Sequence, residues 1–151
     1  PEDYASDDHP MEILYAETFV CLVDARHPRI GDSLDMRTYE TEAHVIMRPR
    51  HDIQSFDSRE IKRLGIHRHV EVATFSFSSL PILIAGTERI ATVHRRLAQS
   101  MARTLPLKVL ELPFEIGPMR QCAQWHAHRS SDPGLQWFRG RLTEAVNKSI
   151  H

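Results

Sequence analysis

Ten histidines and two cysteines stand among 151 residues, and the tightest grouping is Cys122, His126 and His128. Alternate side chains of an extended strand share one face, so these three would point the same way on a strand. Thiolate and imidazole are zinc ligands, and a small metal-dependent hydrolase could be built on them. The spacing does not match a closed Cys/His site, however, and no second cluster offers a clear fourth ligand. The residues of the opposite face, Met119, Ala123, Trp125 and Ala127, are apolar. The favoured reading is an amphipathic strand with one polar side and no metal. His67 and His69 support nothing stronger, and no cofactor is expected.

Ser76, Ser78 and Ser79 fall where a strand gives way to a helix, the place where an α/β-hydrolase carries its nucleophile. The glycines that allow that strained turn are absent: Phe77 lies between two of the serines and Pro81 follows them. The six glycines are scattered singly, so a phosphate-cradling loop is absent too. These serines suit a different task. Hydroxyls and unpaired backbone N–H groups at a helix start can hold a small carboxylate without chemistry, although capping alone would also explain them. His44 reads, by itself, as a hydrogen-bonded strand histidine.

The elements that position these residues alternate between strand-length apolar runs and helical stretches, which predicts an α/β domain. Residues 11–23 read as a strand pair or one bent strand. A short helix over 34–39 would be capped by Asp32 or Ser33. Strands are expected at 43–47, 69–75, 89–94, 107–112 and 119–127. Asp57 or Ser58 would cap a helix ending at Gly65, and Ser78, Ser79, Pro81 and Gly86 frame a buried helix over 80–85. Another helix covers 95–104. Asp132 and Pro133 open the last one, with Leu135, Phe138, Leu142, Ala145 and Val146 along one face.

Composition narrows the function. Apolar residues make up 41%, charged residues 26%, and the formal net charge is −1. A module that grips DNA by its phosphates normally carries a basic excess, which this chain lacks. No apolar run approaches the roughly 20 residues that cross a bilayer, so a membrane is not an expected partner. Cys21 and Cys122 are read as buried thiols in a reducing compartment, and a cytoplasmic location is expected. The start at Pro1, without a basic or apolar leader, is read as that of a fragment.

Longer stretches carry a resemblance. Residues 72–98, above all Leu83-Ile-Ala-Gly-Thr-Glu-Arg-Ile-Ala-Thr-Val-His-Arg-Arg-Leu-Ala98, resemble the sensor domain of LysR-type transcription regulators. The likeness is to the branch containing nodulation regulators and regulators responsive to aromatic acids. Tyr4-Ala-Ser-Asp-Asp-His-Pro, Phe19-Val-Cys-Leu-Val, Leu105-Pro-Leu-Lys, Pro113-Phe-Glu-Ile, Gln124-Trp-His-Ala-His and Asp132-Pro-Gly-Leu-Gln-Trp-Phe-Arg agree, in the family's order.

The resemblance implies a periplasmic-binding-protein-like effector domain of two α/β subdomains, and no enzyme. Residues 1–11 would be an incoming hinge, 12–112 a complete second subdomain, and 113–151 the return hinge, strand and C-terminal helix of an incomplete first one. A small, aromatic effector would sit in the cleft between subdomains, touching His44, Phe75, Ser76, Ser78 and Gln124. Phe75 stands where some relatives have a polar residue. Homo-oligomers are expected, with DNA contacted only through a missing N-terminal domain. An exposed apolar patch, or pairing with another copy, is expected where Met119–Ala127 and the last helix lack their neighbours. The alternatives are a transporter's solute-binding protein, the hydrolase on Cys122, His126 and His128, and a truncated reading frame without independent function.

Overall fold

The computed structural model of the chain describes residues 1–50 and 53–150. Its elements, in chain order, are β1 (Met11–Glu17), β2 (Phe19–Asp24), α1 (Met36–Thr41), β3 (Ala43–Met47), α2 (Phe56–Arg63) and β4 (His69–Thr74). There follow α3 (Leu80–Ile84), β5 (Ile90–His94), α4 (Arg95–Met101), β6 (Leu107–Leu110), β7 (Met119–Gln124) and α5 (Pro133–Ile150). The α/β class expected from the alternating runs is present.

Two compact units divide the chain: Pro1–Glu17 with Pro118–His151, and Thr18–Gly117. β1 parts from the strand that follows it. Instead of continuing into β2, β1 pairs antiparallel with β7, from Met11 opposite Gln124 to Glu17 opposite Met119. Thus the 11–23 run is two strands in two different sheets.

The unit spanning Thr18–Gly117 is built on a five-stranded sheet in the order β4-β3-β5-β2-β6. β3 runs parallel to β4 and β5, whereas β2 is antiparallel to β5 and β6. Every residue of β2 is buried, as a continuous apolar run covered on both faces requires. Alternation sends Val20 and Leu22 to one face, where they pack with Val45, Ala91 and Val93 of the sheet, Leu80 and Ile84 of α3 and Ala98 of α4. Cys21 and Val23 go to the other face, with Ile30, Leu34, Tyr39, Ile90 and Leu110.

Local signals are displaced by a residue or two. Asp35, not Asp32 or Ser33, caps α1 by accepting the Thr38 amide at 2.7 Å. Ser55 occupies the cap position of α2, and Asp57 is drawn inside instead. Gly65 and Gly86 end their helices at φ 71° and 74°, the left-handed region that glycine enters without a Cβ clash. α3 is only partly buried: Leu80, Pro81 and Ile84 face the core, while Ile82 is exposed. Asp132 caps α5 through the Leu135 amide at 3.0 Å.

In the other unit, α5 attaches to β1 through charge. Arg139 donates to Glu12 Oε2 at 2.6 Å, Thr143 donates to Glu12 Oε1 at 3.1 Å, and the Arg139 guanidinium lies 3.6 Å from the Trp125 ring centre. These bonds hold the Glu12 carboxyl below the usual carboxylate range. No α5 residue from Pro133 to Lys148 is fully buried, and Trp137 and Phe138 remain 67% and 55% exposed.

Candidate functional site

β4 ends at Thr74, and the chain turns through Phe75 and Ser76 into a single 3-10 turn, Phe77–Ser79, before α3. Ser76 caps that turn: its Oγ accepts the Ser78 amide at 3.3 Å and lies 2.7 Å from Ser78 Oγ. The two hydroxyls therefore sit side by side and exposed. Phe75 beside them is 84% exposed, an unusual cost for a large ring with no neighbour to cover it. α3 spans only five residues, so aligned peptide dipoles contribute little here and the hydroxyls are the stronger donors.

His44 is elsewhere. Its imidazole is fully buried between the end of α1 and β5, edge-on to the Tyr39 ring at 4.6 Å between centres. Nε2 donates to the Tyr39 carbonyl at 2.6 Å; a carbonyl can only accept, so Nε2 carries the proton. Nδ1 is buried and makes no hydrogen bond. Burial brings the His44 pKa down to about 4, against the pull of the carbonyl. The Tyr39 hydroxyl in turn lies 2.7 Å from Thr92 Oγ1. The hydrogen-bonded strand histidine read from the residue alone is what the structure shows, a buried group that joins α1 to the sheet.

Gln124 belongs to the unit of β1 and β7, and its amide is engaged by the backbone of Ser6 and His9. Phe75, Ser76 and Ser78 are thus gathered in one turn, while His44 and Gln124 each have structural partners of their own.

The Cys122, His126 and His128 grouping is corrected. β7 ends at Gln124, and His126 caps a separate 3-10 turn, so the three do not alternate along one strand. His126 stacks on His128 with ring centres 4.8 Å apart. Among the described residues, no three His, Cys, Asp or Glu side chains are arranged to hold a metal ion. Both thiols are free, and burial pushes the Cys21 thiol far up.

One buried ion pair escaped the sequence reading. Asp57 is buried near the start of α2, and its Oδ2 accepts Arg68 Nη1 at 3.3 Å, while Arg68 Nη2 donates to Ser58 Oγ at 2.7 Å. The separation of eleven residues crosses a turn and follows no helical or strand period, so only an interrupted polar pattern hinted at it.

Comparison with known proteins settles the family. A profile described as the LysR substrate binding domain matches residues 2–147. This chain belongs to the LysR substrate-binding domain family. Nodulation protein D 1 of Sinorhizobium fredii is 35% identical over 140 residues, covering 92% of this chain and 44% of that protein. The chain spans about half the length of the curated relatives it matches. Among solved structures, a probable transcriptional regulator from Pseudomonas aeruginosa superposes with a TM-score of 0.82 at 22% identity, covering 93% of this chain and 46% of that one. The effector binding domain of QuiR, solved in complex with shikimate, gives 0.74 at 14% identity, covering 96% and 69%. At these identities the two structures speak for the fold alone, and the fold is that of LysR effector-binding domains.

Proposed function

We propose that this chain is the effector-sensing part of a LysR-type transcription regulator, without catalytic activity, and that the Phe75–Ser78 turn contacts a small aromatic acid or phenol. The observation that carries this reading is the exposed Phe75 ring standing next to the paired Ser76 and Ser78 hydroxyls. An aromatic face stacks on a planar ligand while hydroxyls donate to its oxygen, the usual division of labour in a small-molecule site. The two hydroxyls bond to each other, an arrangement suited to recognition more than to nucleophilic attack. The shikimate complex of the QuiR domain supports a small-molecule ligand for this fold.

In this reading His44 and Gln124 position the surrounding backbone rather than touch the effector. Effector binding favours one arrangement of the regulator, and a homo-oligomer relays that preference to DNA-reading elements outside this chain. The net charge of −1 agrees with DNA contact lying elsewhere. A cytoplasmic location follows from that role.

The test is an amide NMR titration of the chain with salicylate and, separately, shikimate. Saturable shifts confined to residues 75–80, lost in Phe75→Ala and in the Ser76→Ala, Ser78→Ala double variant, are expected. The absence of saturable shifts with both compounds at millimolar concentration would refute the aromatic-acid site.

A further inference from the structure

We infer that a pocket between α2, β3 and the start of β4 is a second binding site, for a small molecule carrying two or more negative charges. The cavity holds about 200 Å³, and Arg48, Gln54, Ser58, Lys62, His67 and Arg68 supply its polar walls. Ile46 and Ile61, both buried, form part of its apolar lining. All of these residues lie within the Thr18–Gly117 unit, so the pocket is complete inside one compact body.

Arg68 is what makes the pocket a built site. Its side chain is only 8% exposed and is held by Asp57 and Ser58. A guanidinium has five N–H donors, so these two bonds leave others for a ligand oxygen. Fixing a long side chain before the ligand arrives lowers the ordering cost of binding. Asp57 neutralises Arg68, and Glu40 accepts the His67 amide at 3.4 Å. The surplus positive charge comes from Arg48 and Lys62, which carry no ion pair among the described residues. Two further cations lining the pocket beside a largely buried, preorganised arginine favour a di- or trianion over a monoanion. A phosphorylated metabolite and a polycarboxylate share that chemistry.

The experiment titrates the chain at low ionic strength with inorganic phosphate in one arm and citrate in the other, read by backbone amide and arginine side-chain NMR. Saturable shifts at Ser58, Lys62, His67 and Arg68 are expected in at least one arm. Binding of phosphate alone marks a phosphorylated ligand; binding of citrate alone marks a polycarboxylate. The double variant Arg48→Glu, Lys62→Glu alters two exposed positions and leaves the Asp57–Arg68 pair intact. It should weaken binding at least tenfold with an unchanged circular dichroism spectrum. Phe75→Ala should leave this binding untouched, which separates the pocket from the effector turn. Shifts spread without saturation over the exposed arginines would overturn the proposal. So would affinity unchanged by the double variant, or sedimentation showing that self-association covers the pocket.

Discussion

The side-chain amide of Gln124 brackets the backbone of Ser6: Oε1 accepts the Ser6 N–H at 3.1 Å while Nε2 donates to the Ser6 carbonyl at 2.6 Å. The amide thereby imitates a neighbouring strand and extends the β1–β7 pairing past its end, with a further bond to the His9 carbonyl at 3.3 Å. Gln124→Ala should release the segment before β1. Hydrogen exchange at Ser6 is expected to rise five- to tenfold, about 1 kcal/mol for a typical net hydrogen bond, while β5 amides stay protected. Unchanged exchange at Ser6 would show that the segment is held by other means.

His44 predicts an unusual acid response. Folding keeps its imidazole neutral, with a pKa of about 4, because burial disfavours the charged ring. The unfolded chain takes up that proton near pH 6.5. Its contribution to stability is therefore complete above about pH 6.5 and is lost as the pH falls toward 4, up to about 3 kcal/mol in total. His44→Gln keeps a donor for the Tyr39 carbonyl but has no proton to gain. Urea melts from pH 7 to pH 4 should show a steep decline in the parent and a shallower one in the variant. Parallel slopes would mean that other groups govern acid stability in this window.

Arg68 and Asp57 form a pair that should not be broken from one side. Asp57 Oδ1 already lacks a hydrogen-bond partner among the described residues, so removing Arg68 strands a buried carboxylate. Arg68→Ala should cost about 3–5 kcal/mol, with much of the loss regained when Asp57→Asn is added. Thermal melts of the two single variants and the double variant, analysed as a cycle, measure the coupling. Additive effects would argue that the pair contributes nothing specific.

The exposed Trp137 and Phe138 on α5 predict that the chain binds an apolar dye or associates at high concentration. Trp137→Lys with Phe138→Gln should reduce dye fluorescence severalfold and shift sedimentation toward the monomer. A monodisperse parent that ignores the dye would contradict this.

Much of the architecture was legible because it follows short-range rules. The apolar run of β3 was bounded correctly at 43 and 47, and Asp132-Pro133 announced α5 through capping chemistry. What escaped depends on contacts that no local period encodes. β1 reads as the first half of a hairpin with β2, yet its partner is β7, far along the chain, and Arg139 of α5 also reaches its Glu12. Asp57 looked like a helix cap until Arg68 offered a stronger bond. At the candidate site, the serine turn was readable from strand-to-helix punctuation. His44 was readable as a hydrogen-bonded strand histidine, but its partner, the Tyr39 carbonyl, was not, because a strand histidine alternates in the same way whichever group it meets.

The pairing of β1 with β7 also bears on how the chain is born. Between Glu17 and Pro118 lies the whole Thr18–Gly117 unit, roughly a hundred residues with both apolar cores. Emerging from the ribosome in sequence, that unit can fold as soon as it clears the exit tunnel. β1 must wait for β7 until that strand has been translated, and closing so long a loop carries an entropic cost that the folded insert itself reduces by limiting the chain's freedom. A pause in translation shortly after Gly117 would thus leave one unit mature while β1 still awaits β7.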